Sequence, residues 1–149
     1  MKKFSFRYES VLKMRMDREE RIKNELAKLI TRRQDLIEAI ESLEINSKNY
    51  DIHIQTVLAE GDTQKERQQF VQGKKYYTNQ RNSLKQKLAF VENEIRKTQE
   101  KLVEAMKDRK VMDKLKEKAF QDFIDAINEA DAKLIEEVVN YSNNKKNGE

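Results

Sequence analysis

The stretch Ala59-Glu60-Gly61-Asp62-Thr63 interrupts two long runs in which apolar residues recur at alternating spacings of three and four. Upstream the stripe reads Ile22, Leu26, Leu29, Arg33, Leu36, Ile40, Leu43, Ser47, Tyr50, Ile54, Val57. Downstream it reads Phe70, Lys74, Tyr77, Arg81, Leu84, Leu88, Val91, Ile95, Thr98, Leu102, Ala105, Arg109, Met112. Nine of eleven and nine of thirteen of these positions are apolar, so the pattern is a true heptad stripe with few polar layers. The mean spacing is that of a coiled coil. A helix with one apolar stripe cannot bury it alone, and a short break lets two such helices fold back on each other. The expected fold is all-α: a long two-helix antiparallel coiled-coil hairpin whose second helix is longer than the first.

Composition agrees. Of 149 residues, 39% are charged and 37% hydrophobic, with no Pro, no Trp and three Gly. That balance suits helices that bury one narrow stripe and wet the rest, and it does not suit a thick globular core. So charged a chain would be disordered without a periodic stripe to bury. The length fits one domain, 1–149. With no Cys there is no disulfide or thiolate chemistry. No apolar run approaches a membrane span, and no apolar segment follows the basic Met1-Lys2-Lys3. A soluble protein that stays in the cytoplasm is expected. The net charge of +4 permits an acidic partner or surface without requiring one.

The first helix is expected over about residues 5–58, with Ser5 as N-cap. Its opening holds Phe4, Phe6, Tyr8, Val11, Leu12 and Met14, an apolar cluster wider than the stripe needs. Ile30 and Ile37 widen the stripe farther along. Gly61 can take the left-handed conformation that closes a helix, placing the turn at 59–63. Thr63-Gln64-Lys65-Glu66 has the capping-box spacing, so the second helix starts at about 63. Gly73 lies inside that helix, either as a tolerated weak point or as the site of a bend or a close backbone contact. Strict heptads hold to Met112; Phe120, Ile124, Ile127, Leu134, Val138 and Tyr141 continue the stripe after a stutter. The helix is expected to end at about 141, followed by a polar, frayed tail at 142–149.

Charge and length both favour the antiparallel arrangement. Net charge by block is +6 for residues 1–33, −5 for 34–60, +5 for 61–90, +2 for 91–118 and −4 for 119–149. The −5 and +5 blocks flank the turn and would lie side by side, which helps to select orientation. At 1.5 Å per residue the expected helices measure about 80 Å and about 118 Å. Ser5 then falls opposite Lys118, and everything from Phe120 onward overhangs with an unpartnered apolar stripe. Such surface marks a docking site.

Catalytic signatures are missing. The one histidine, His53, sits beside Tyr50 and Ile54 near the turn, as a half-exposed helix residue would. There is no Cys/His cluster, Gly-rich phosphate loop or nucleophile–base pair, and the carboxylates fall at helix-surface spacings. The expected class is a non-enzyme without cofactor or metal. The densest basic run, Lys110 to Lys118, is diluted by Asp113 and Glu117, so nucleic acid is not the expected partner.

Both ends carry a family likeness. Phe4-Ser5-Phe6-Arg7-Tyr8-Glu9-Ser10-Val11-Leu12, followed by Arg15 and Glu19, resembles the N-terminal signature of the FliJ family of flagellar type III export proteins. So does Lys101-Leu102-Val103-Glu104-Ala105, followed by Arg109-Lys110 and Leu115-Lys116-Glu117-Lys118, and the likeness continues through Phe123 to Glu136-Glu137. The resemblance covers nearly the whole chain. It implies a stalk-like antiparallel coiled coil at the cytoplasmic face of the export apparatus, peripheral to the membrane at the flagellar base. The implied partners are the hexameric flagellar export ATPase, into whose pore the open end inserts, the cytoplasmic domain of the membrane export gate, reached by the turn side, and export chaperones.

Carried over residue by residue, the resemblance makes Phe4, Phe6, Val11, Arg15, Arg109, Lys110, Lys116, Glu117, Phe123 and Ile124 candidates for the ATPase-facing end. Leu12 and Leu115 match too, as packing residues or as contacts. Leu43, Tyr50 and Tyr77 are the nearest equivalents of gate-facing residues, and all three also lie on the stripe, where burial would explain them. A monomeric hairpin is expected in solution. The rival readings are a generic parallel coiled-coil scaffold or tether, and a nucleic-acid-associated coiled coil whose binding would fall steeply with salt.

Overall fold

The structure is a computed structural model that describes residues 2–148. Two helices account for nearly all of it: α1, Glu9–Glu60, and α2, Gln64–Asn147. The chain forms two compact units. One is Arg21–Val103, which contains the turn. The other joins the chain up to Glu20 with the chain from Glu104 onward.

In the turn-containing unit the helices pack side by side and run in opposite directions. Leu36, Val91 and Ile95 are buried together, with Leu26, Leu29, Leu84 and Leu88 packed around them. Ile22, Ile54 and Thr98 are buried as well. Each apolar side chain of this size adds about 1.5–3 kcal/mol when fully buried. The stripe positions Arg33 and Ser47 are also half-buried, whereas Lys74 and Arg81 reach solvent. Partner pairs fix the direction: Asp51 pairs with Lys74 at 3.7 Å, and the Tyr50 ring lies 5.3 Å from Tyr77 and 6.3 Å from Phe70. Parallel pairing of two copies through this stripe is thereby replaced by antiparallel pairing within one chain.

The turn is built as the residues require. Gly61 has φ 96°, a backbone that side chains disfavour. The Glu66 amide donates to Thr63 Oγ1 at 3.2 Å, so Thr63 caps α2. The reciprocal bond from Glu66 is not made among the described residues. Instead Arg67 reaches back to Asp62 with two N–H donors. That hydrogen bond, with the guanidinium charge, holds the Asp62 carboxyl below its ordinary value.

Gly73 has a definite role. A Cβ built there would overlap Oη and Cζ of Tyr50 and come within 2.8 Å of Cε1. The Tyr50 ring occupies the space that only a glycine leaves, and its hydroxyl donates to the Gln69 carbonyl at 3.4 Å. Gly73 is thus a close contact between helices, and α2 continues unbroken through it.

In the other unit the helices also oppose each other. Phe6, Leu12 and Met112 are buried, with Phe4, Val11 and Ala119 packed against them. The first helix begins four residues after the expected Ser5. The Glu9 amide donates to the Phe6 carbonyl at 3.2 Å and the Leu12 amide to the Tyr8 carbonyl at 3.0 Å. The physical reason is reach. In a helix Phe4 and Phe6 would point to nearly opposite sides, whereas a non-helical lead lets both meet α2. The second helix runs past the expected end at 141 to Asn147, with Gly148 donating to the Asn144 carbonyl at 3.0 Å. No Pro or Gly intervenes before Gly148, so nothing stops the backbone ladder earlier.

Gly73→Ala is expected to destabilise the hairpin by about 1–3 kcal/mol in urea unfolding, through the clash with Tyr50. In a Tyr50→Ala background the same change is expected to stabilise by about 1 kcal/mol, because alanine is the better helix former. A second expectation concerns acid. Because the folded Asp62 pKa is depressed, its contribution is complete above the ordinary carboxylate range and is lost as pH falls through the lowered value. Amide protection factors at Gly61 to Arg67, taken relative to the intrinsic exchange rate at each pH, should fall on acidification in the wild type, and this acid sensitivity should be weaker in Asp62→Asn.

Candidate functional site

The unit that holds the chain ends contains most of the sequence-derived candidates, and its geometry sorts them. α1 brings Glu9, Arg15, Arg18 and Glu19 to one side, and α2 brings Asp108, Arg109, Asp113 and Lys116 opposite. Glu19 is only 5% exposed and accepts from Arg109 Nε. Arg109 Nη1 also donates to Asp113 Oδ2 at 2.5 Å. The two carboxylates, Glu19 first, push the guanidinium pKa further up, so Arg109 is a permanent cation. Arg15 Nη1 donates to the Asp108 carbonyl at 2.7 Å, and Arg18 pairs with Asp108 Oδ2 at 3.3 Å. Lys116 pairs with Glu9 at 2.9 Å.

Arg15, Arg109 and Lys116 therefore tie the helices together. A charge replaces an apolar layer at stripe position 109, and its partners satisfy it, which sets register. Their side chains are engaged within the unit, unlike those of Lys110 and Glu117, which are exposed on α2.

The apolar candidates divide similarly. Phe6 is buried, and Phe4, Val11, Phe123 and Ile124 are half-buried. The Phe4 ring meets Phe120 edge-on at 5.2 Å and Phe123 at 5.6 Å. The expectation that everything from Phe120 onward lacks a partner is corrected here: the non-helical lead folds Phe4 over both rings. A cavity of about 650 Å³ lies beside this lead, lined by Phe4, Phe6, Leu115, Ala119 and Phe123 among others. Leu12 is buried packing, whereas Leu115 is exposed.

Beyond Ile127 every described residue of α2 is exposed. Leu134, Ile135, Val138, Val139 and Tyr141 form an apolar stripe at helical spacing, Tyr141 being 70% exposed. Ile135 and Val139 were not among the sequence-derived stripe. They lie one residue beyond Leu134 and Val138, and an i, i+1 search would have found them.

In the turn-containing unit, Leu43 and Tyr77 line a groove of about 290 Å³ with Ser47, Lys48 and Arg81. Tyr50 is locked against Gly73, Phe70 and Tyr77. The three are half-buried. His53 packs edge-on against Phe70 at 6.2 Å. Among the described residues, no group of three or more His, Cys, Asp or Glu side chains is arranged to hold a metal, and no helix is long and apolar enough to cross a membrane.

Removing Glu19 leaves Arg109 with one carboxylate in a half-buried position. Glu19→Ala is expected to lower Tm by roughly 2–8 °C, whereas Arg18→Ala, at an exposed pair, should change it by about 1 °C or less.

The family described as Flagellar FliJ protein matches residues 4–148. No curated protein and no solved structure matches significantly. The matched span takes in the aromatic lead, the ion-paired layer, the turn and the exposed end of α2. The chain belongs to the FliJ family of flagellar proteins, and with it to the components of the flagellar export apparatus.

Proposed function

We propose that this protein is a stalk-like, non-catalytic subunit of the export apparatus whose terminal unit docks into the hexameric export ATPase. The observation that carries this reading is the stripe Leu134, Ile135, Val138, Val139 and Tyr141, exposed on a helix that continues beyond its partner. A soluble helix gains nothing by leaving five large apolar side chains in water, and such a stripe suits a hydrophobic groove or channel in another protein. The two-helix coiled coil resembles the stalk of a rotary ATPase in kind, as the family likeness implies.

Within this reading the candidates take distinct parts. Lys110, Glu117 and the far α2 stripe face the ATPase. Phe4, Phe6, Val11, Phe123 and Ile124 shape the end that enters. Arg15, Arg109 and Lys116 keep that end rigid. On the turn side, Leu43 and Tyr77 offer the groove that an export-gate segment would enter, and Tyr50 supports it from beneath. Peripheral attachment at the cytoplasmic face of the membrane and escort of export chaperones belong to the same proposal. The family assignment supports them, and the family's established setting is flagellar.

The test is turnover of the cognate export ATPase with and without this protein at matched oligomer concentration. Stimulation by the wild type, abolished by Leu134→Asp with Val138→Asp while circular dichroism stays unchanged, is the expected result. Equal stimulation by that variant would move the docking site elsewhere. An absence of stimulation together with no co-sedimentation would overturn the ATPase reading.

A further inference from the structure

A second surface of the chain complements the exposed stripe, and it lies in the turn-containing unit. Arg32 of α1 and Ser83, Gln86, Lys87, Phe90 and Val91 of α2 line a groove of about 500 Å³. Phe90 is 66% exposed, an aromatic ring left in water beside two cations. Lys28 lies one helical turn from Arg32, on the same face. Among the described residues, no ion pair engages Lys28, Arg32 or Lys87. The groove is thus apolar at its centre and positive at its rim.

The far end of α2 has the reverse arrangement. Residues 119–141 carry six acidic side chains and one basic, a net −5. Its apolar stripe is interrupted by Asp131, one turn before Leu134 and Ile135. Lys133 is occupied by Glu129 at 3.9 Å, whereas Asp131 has no ion-pair partner among the described residues. An acidic amphipathic helix and a basic groove with an exposed aromatic ring are two halves of one interface type.

We propose that the occupant of the Arg32–Phe90 groove is the far end of α2 from a second copy of this chain. Leu134 and Val138 cover Phe90, and Asp131 faces Arg32 and Lys87. Two tails pairing with each other would instead set one net-negative segment against another. The association is weak and reversible, since a single amphipathic segment falls below the size of a standard stable interface. It covers the apolar stripe whenever no other partner holds it. The expected monomer is then the dilute state. The proposal does not depend on the ATPase reading, because it concerns the chain alone.

Sedimentation velocity of the full-length chain over a concentration series tests it. The expected result is a sedimentation coefficient that rises with concentration at low salt and less so at high salt. Asp131→Lys should weaken association by about tenfold, and Arg32→Glu with Lys87→Glu by a similar factor, each with wild-type helicity. Combining all three substitutions should restore most of the loss. A chain that stays monomeric at every concentration would overturn the proposal. So would association that ignores the Arg32 and Lys87 changes, which would indicate tail-to-tail pairing. ATPase stimulation by the Arg32→Glu, Lys87→Glu variant should not fall below wild type, which separates this surface from the docking end.

Discussion

Everything in this protein depends on burying one narrow apolar stripe. Neither helix has a second buried face, so each is helical because the other is beside it. Leu36, Val91 and Ile95 form the tightest stretch of that contact. The charged majority of the sequence follows from the same constraint: positions off the stripe have no interior to enter and serve as a solvated coat.

A stripe of leucines and isoleucines specifies contact but holds register loosely. The structure supplies register through exceptions to the stripe. Tyr50 enters the notch at Gly73, a fit that any other residue at 73 would spoil. Arg109 replaces an apolar layer and is satisfied by Glu19 and Asp113. Shifting the helices by one turn would part Arg109 from Glu19, the one carboxylate it reaches across the helices, and drive the Tyr50 ring into a side chain. The turn adds a third device: Gly61 reverses the chain, Thr63 starts the next helix, and the Asp62–Arg67 pair clasps them. Three local features, spread along the contact, exclude the slipped alternatives that a uniform stripe would allow.

The distribution of exposed apolar surface separates the side chains that packing consumes from those it leaves in water. Phe4 and Phe6 are consumed by packing: Phe6 is buried and Phe4 covers Phe120 and Phe123. The residues from Leu134 to Tyr141 are not consumed, and neither is Phe90. Family membership supplies a flagellar setting for the chain. The complementary sign of the two surfaces further links them to each other.

By itself the sequence determined the helical class, the break at Gly61, the antiparallel pairing and the family, because each rests on local chemistry: period, capping residues, block charges and end signatures. Even the unequal helix lengths were legible from the distance of each stripe from the break. What only the tertiary structure decided was the use of individual side chains. Whether Arg15, Arg109 and Lys116 are contacts or clamps depends on partners some ninety or more residues away, which no local pattern encodes. The non-helical lead before Glu9 was hidden for the same reason, since Ser5 is a good cap and only the pull of α2 on Phe4 and Phe6 unwinds it. Gly73 carries the same lesson, because a glycine in a helix reads as a weakness until the ring that fills its missing side chain is seen.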